Sequence, residues 1–368
     1  MINVDFREVA RSMVKALSIR EGEVVSVRGG LHIAAFLEEI ALEVQCAGAS
    51  VMLEIISDHL ARRVAFEVPL EYLKRASLPA RKKIEITDCV ISIGSSEDPL
   101  LLSDLPEERS LAMASAAMPI MKLFSEMKKT RKLRTLGMGF PTPGRAEFFG
   151  LPFEEYHDLF WRAVLIDLPA MRRRQKAIAP FLDNAKKVRI ESEKGTAITL
   201  SLEGRPLLLD SGIFDEEDIA AGNLTTNWPC GEVWVAPVEE SAEGVAVFDQ
   251  VFHQGRRIKD LRLAFSKGRV VDFSAEENAG VFASMLREAE GDCDVMAELG
   301  IGTNPEVTKV TGDTILDEKI LGSVHLAIGN NSSFGGNSTS TMHKDMVIMC
   351  PSLFVNEKPL ILGGKFCV

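Results

Sequence analysis

The sequence predicts an α/β N-terminal domain with a mostly parallel sheet, followed by an α+β C-terminal domain rich in antiparallel strands. Short apolar strands alternate with helix-length segments in the first half. Near residue 183 this gives way to hairpin-length strands and turns. Two of the six histidines, His325 and His343, then fall close together near the C-terminus with Asp345 beside them, which marks the second half as the metal-binding part. With 368 residues, 46% of them hydrophobic, the chain is long enough for two domains, placed at 1–183 and 184–368.

The elements follow in order. Val9, Met13, Val14 and Leu17 recur at helical spacing over 7–19, and the turn Arg20-Glu21-Gly22-Glu23 leads into a strand at 24–27. A second helix covers 33–46 and stops at Gly48, before buried strands at 51–56 and 89–93. Strands separated by helices of this length imply βαβ units and a parallel sheet. Helix-rich sequence continues to Leu182. Beyond it Val188, Ile190, the turn Glu193-Lys194-Gly195, Ile198, Leu200 and Leu202 describe a hairpin with one buried face. Short strands then dominate, apart from a helix at 275–289 opened by a capping box from Ser274 to Glu277.

Composition excludes several functions. A net charge of −11 argues against nonspecific nucleic-acid binding, which needs a basic face. The basic clusters 128–132 and 172–174 read as solvated helix faces. No apolar run of about 20 residues is present to span a membrane, and residues 1–8 are unlike a signal peptide. Six cysteines without a CxxC pair imply a reduced, cytoplasmic protein.

The chemistry concentrates near the C-terminus. In an extended segment His343 and Asp345 project to one face, half of a site for Zn, Co, Mn or Fe. His325 lies in the apolar run Val324-His-Leu-Ala-Ile-Gly329, where an imidazole needs a partner. Glu298 is embedded in small and apolar residues, so its charge must be paired or must bind a metal. Glu232, at the start of a strand, reads by itself as solvent-facing, and Glu318, in Leu316-Asp-Glu-Lys319, as part of an exposed turn. Together Glu232, Glu298, His325, His343 and Asp345, with Glu318 as a sixth, exceed one tetrahedral zinc site. They suit two metals sharing a carboxylate.

Other motifs are weaker. His253 reads as a loop tip, His157 as a helix face, and His32 and His59 lack a matching acidic cluster. The run 92–96 has no Walker lysine, and prolines keep the run 137–144 from opening a helix. No GxSxG elbow occurs.

The order of several strings resembles the aminopeptidase T/aminopeptidase S family of metallo-aminopeptidases. The strings are Glu21-Gly-Glu-Val-Val, Lys194-Gly-Thr-Ala-Ile-Thr-Leu, Gly231-Glu-Val-Trp-Val-Ala-Pro237, Ser241-Ala-Glu-Gly244, Asp317-Glu318, His325-Leu-Ala-Ile-Gly and His343-Lys-Asp345. The resemblance implies a homodimer, two Zn or Co ions and short peptide substrates. It also implies metal ligation by Glu232, Glu298, Glu318, His325, His343 and Asp345, with Glu298 bridging and Glu298 and Glu318 catalytic. Those peptidases have a tyrosine where this chain has Ser332. An alternative resemblance, at Trp228-Pro, Ser241-Ala-Glu-Gly244 and Gly335-Gly336, is to non-haem Fe(II) dioxygenases that open dihydroxypyridine rings.

Overall fold

The computed structural model describes residues 1–94, 96–130, 133–253 and 255–368, with only the backbone of residue 129. Ser95 of the 92–96 run, Arg131 and Lys132 of the first basic cluster, and Gln254 beside His253 lie outside the described residues. The chain divides into two compact units, Met1–Trp161 with Gly212–Trp228, and Arg162–Ser211 with Pro229–Val368. This differs from a single cut near 183 for two physical reasons. The helix Leu168–Leu182 turns Gln175 onto the second unit, where its amide donates to the Asp210 carbonyl at 2.9 Å and to Thr303 Oγ1 at 3.1 Å. The strand Thr225–Trp228 instead pairs in parallel with Arg134–Met138 of the first unit.

The first unit holds a five-stranded, all-parallel sheet in the order Ser50–Ile56, Val24–Gly30, Cys89–Ile93, Arg134–Met138, Thr225–Trp228. Its first helix, Phe6–Ala16, starts at Asp5, whose carboxylate accepts from the Arg7 and Glu8 amides. That helix buries Val9, Ala10, Met13 and Ala16, one stripe at helical spacing. The proline-containing run after Gly137 does open a helix, Pro143–Phe148. Pro143 sits in its first turn, where the missing N–H costs nothing, and the Thr142 hydroxyl accepts from Arg145 N. Among the described residues no helix is long and apolar enough to cross a membrane.

The second unit has two antiparallel sheets. The eight-stranded sheet includes the predicted hairpin, Val188–Glu191 paired with Ala197–Leu200, and the long strands Glu243–His253 and Arg256–Ser266. The five-stranded sheet runs His343–Ile348, Val324–Gly329, Met296–Gly302, Glu232–Val235, Leu207–Asp210. One continuous core joins them: Ile190, Ile198, Phe248 and Leu263 from the first sheet, and Val233, Leu299, Leu326 and Ile348 from the second. Truncating one such residue, Leu299→Ala for example, costs about 2–5 kcal/mol. The predicted helix at 275–289 begins later, at Ala279–Glu288, and Asn278 enters it with φ of 62° and no side-chain cap. The box does not form because Glu276 and Glu277 are held by Lys259 and Arg257 instead.

Candidate metal centre

The five-stranded sheet has two chemically different faces. Residues directly opposite in an antiparallel pair share a face, and alternate residues along a strand do too. The register pairs Asp210 with Glu232, Glu232 with Gly302, Gly300 with His325, Glu298 with Ala327, Ala327 with Asp345, and Gly329 with His343. All of these therefore lie on one face. Val233, Val235, Leu299, Ile301, Leu326, Ile328 and Met346 occupy the other and build the core. Apolar burial fixes the register, and the register gathers the polar residues.

Two glycines make room on the polar face. A Cβ on Gly300 would lie 2.0 Å from His325 Nε2, so the imidazole lies directly over that residue. A Cβ on Gly302 would lie 2.0 Å from the Ile320 carbonyl oxygen, which lets the 318–320 backbone press onto the sheet.

Five side chains form two triads that share one carboxylate, Glu232–Glu298–His325 and Glu298–His343–Asp345. His325 Nε2 lies 3.2 Å from both Glu232 Oε2 and Glu298 Oε1. His343 Nε2 lies 3.3 Å from Glu298 Oε2 and 3.2 Å from Asp345 Oδ1. Glu298 thus gives one oxygen to each triad. A single imidazole N–H cannot point at two carboxylates, and the buried Glu232 Oε2 and Asp345 Oδ1 receive no directed hydrogen bond despite the nearby nitrogens. His343 Nδ1 lies 2.7 Å from the Asn330 carbonyl oxygen, to which an Nδ1–H donates. With Nδ1 so engaged, Nε2 is the nitrogen turned toward Glu298 and Asp345, the orientation that second-sphere partners give to metal-binding histidines. Borderline N/O ligands with undirected buried oxygens fit a divalent cation at each triad.

Electrostatics agree with that fit. Burial alone would lower the imidazole of His325, but Glu232 and Glu298 hold it well above its ordinary value. Burial likewise opposes the charge on His343, yet Asp345 and Glu298 push it up to about 12. Asp345 is correspondingly depressed, the neighbouring His343 outweighing the cost of burial. Carboxylates in excess of imidazoles hold positive charge here.

The chain belongs to the thermophilic metalloprotease (M29) family. The family's model matches residues 5–353. The aminopeptidase AmpS of Bacillus subtilis (strain 168) is 21% identical over 356 residues, 90% of this chain and 85% of that protein. AmpT from Thermus thermophilus has the same fold, with a TM-score of 0.77, 22% identity and 99% of each chain covered. The 2,5-dihydroxypyridine dioxygenase of Pseudomonas putida KT2440 shares the fold at a TM-score of 0.67 and 16% identity, covering 100% of this chain and 99% of that one.

Within this member of the metalloprotease family, several residues lie where sequence alone does not put them. Glu232 is buried, not solvent-facing. The turn around Glu318 is no exposed loop, since Asp317 is buried and Lys319 is fully buried. Glu318 stands outside both triads, against Lys319, and burial together with Asp345 pushes its carboxyl well above the usual range. Arg172 is buried and donates to Ser211 Oγ at 3.0 Å, so it leaves the predicted solvated face, whereas Arg173 and Arg174 stay exposed on it, with Arg174 donating to the Thr303 carbonyl at 2.8 Å. His253 ends a strand and, with His343, lines one open cleft. Sequence reasoning missed Asp210 and Lys319. Their one signal is a lysine beside Glu318 and an aspartate closing the apolar run 207–210.

Ser332 is exposed, and its hydroxyl donates to Asn330 Oδ1 at 2.9 Å. It borders an open cleft of about 340 Å³ with Phe334, Met342 and His343. Phe334 meets the Trp234 ring at 4.7 Å and the His343 ring at 5.7 Å, an apolar wall beside the second triad. Both tyrosines, Tyr72 and Tyr156, belong to the first unit.

Proposed function

We propose that this metalloprotease is an aminopeptidase that releases N-terminal residues from short peptides, using two divalent ions, Zn or Co. One observation carries the reading: two N/O triads on one sheet face share Glu298. In this reading Glu232, Glu298 and His325 hold one ion, and Glu298, His343 and Asp345 the other. Two ions so held supply Lewis acidity, which makes water acidic and polarises a peptide carbonyl.

The chain's own groups do the rest. Glu298 spans both positions and sets their spacing. The Asn330 carbonyl fixes the His343 tautomer. Glu318, buried beside Asp345, holds a proton at its carboxyl oxygen and passes it to the leaving amine, a step worth about 10²–10⁴-fold. The wall of Phe334 and Met342 receives apolar substrate groups. The reading extends to a homodimer in a reducing compartment, the latter supported by six free thiols.

Each triad carries one histidine and two carboxylates, whereas Fe(II) oxygenases use two histidines and one carboxylate. This favours the hydrolase over ring cleavage. The test is reconstitution of metal-free protein with Zn, Co or Fe(II), assayed on free and N-acetylated short peptides. Cleavage of the free peptides alone, with Zn or Co, supports the proposal. One iron per chain with oxygen uptake on a dihydroxypyridine would overturn it.

A further inference from the structure

Lys319 is among the largest fully buried side chains in the protein. A buried ammonium needs counter-charges, and the carboxylates of Glu232 and Asp210 supply them, with the carboxyl group of Glu318 alongside. It contacts Glu232 Oε1 directly, and Asp210 Oδ2 and Glu318 Oε2 each at 3.3 Å. Its backbone is pinned on both sides, with its amide donating to the Leu316 carbonyl at 3.0 Å and its carbonyl accepting from Asn304 N at 2.9 Å. The missing side chain at Gly302 admits this segment against the sheet.

The charge is distributed unequally between the triads. Glu232 belongs to the first triad, and its other oxygen is already bound to the ammonium. An ion at that triad would share one carboxylate with a fixed positive charge in a dry environment, where repulsion is weakly screened. The second triad has no ammonium in direct contact. Lys344 acts on Asp345 only at longer range, since it projects from the opposite face and donates to the Phe252 carbonyl at 2.8 Å. Among the described residues no lysine or arginine is ion-paired with Asp345.

We propose that Lys319 is a positioning residue that ranks the two ion positions. The Glu298–His343–Asp345 position fills first, and the Glu232–Glu298–His325 position, weakened by the ammonium on Glu232, fills second and exchanges more readily. This rests on the two-ion reading above.

Calorimetric titration of the metal-free, full-length protein with Zn²⁺ tests it. Wild type should show two affinities separated by about tenfold or more, the scale on which groups contacting metal ligands act. His343→Ala should abolish the tight class and His325→Ala the weak one. Lys319→Met should tighten the weak class by about 10–100-fold and close the gap, while Lys319→Arg keeps it. Asp210→Asn removes a counter-charge from the ammonium and should widen the gap, which decides the matter should Lys319→Met fail to fold. Equal affinities in wild type, loss of the tight class in His325→Ala, an unchanged gap in folded Lys319→Met, or a narrowed gap in Asp210→Asn would each overturn the proposal. A wild type that binds no ion would sink the two-ion reading itself, an outcome distinct from two equal ions.

Discussion

Replacing Gly300 with alanine adds one methyl group at the centre of the site. The new carbon would lie 2.0 Å from His325 Nε2, 2.1 Å from Cε1 and 2.8 Å from Cδ2. Ordinary carbon contacts fall at about 3.5–4.0 Å, so the ring must retreat by roughly 1.5 Å. Nε2 now stands 3.2 Å from both Glu232 and Glu298, and a shift of that size takes it off both carboxylates. The strand itself tolerates alanine, so the cost is overpacking, about 1–3 kcal/mol. Gly300→Ala should therefore stay folded at ambient temperature, unfold at lower denaturant, and lose the ion of the first triad while keeping that of the second. Elemental analysis after dialysis, alongside urea unfolding, reads both effects. Gly280→Ala is the control: nothing lies within 4 Å of its added Cβ, and an alanine in the helix Ala279–Glu288 should stabilise by about 0.5–1 kcal/mol. A Gly300→Ala protein with two ions and full turnover would refute the placement of His325 over that glycine.

Other expectations follow from the same geometry. Glu298→Gln removes the charge shared by both triads and should lose at least one ion and nearly all turnover while remaining folded by circular dichroism. Arg205 donates to the Gly335 carbonyl at 2.5 Å and pairs with Glu239, which accepts from Asn337 N at 2.6 Å. Arg205→Ala should loosen the segment carrying Phe334, raising KM while leaving metal content unchanged. Burial pushes the Cys89 thiol up to about 12, so iodoacetamide at pH 8 should spare it in the native protein and label it only after unfolding; the exposed Cys46, Cys350 and Cys367 should react at once.

Much of this was legible in the chain. The alternation Glu298-Leu-Gly-Ile-Gly302 shows a strand with one aliphatic face and one face kept for function, and His343 with Asp345 repeats the pattern. The parallel strands at 51–56 and 89–93 stood out because they are apolar and bounded by turns. Pairing was harder to read. Glu232 looks solvent-facing until its register with Gly302 and Asp210 is known, since a strand on either side flanks it. Lys319 looks like a surface residue because the carboxylates that accept its charge include Asp210 and Glu232, distant in sequence. The capping box at 274–277 failed for the same reason: Lys259 and Arg257, on another strand, take its glutamates. Local pattern gives faces, and long-range contact decides what each face meets.

The most direct test of the central claim is anomalous diffraction from crystals of the protein loaded with Zn or Co. The account predicts two peaks about 3.5–4 Å apart, one against Glu232 and His325 and one against His343 and Asp345, with Glu298 between them. A single peak ligated by both histidines, or ions bound away from Glu298, would contradict it.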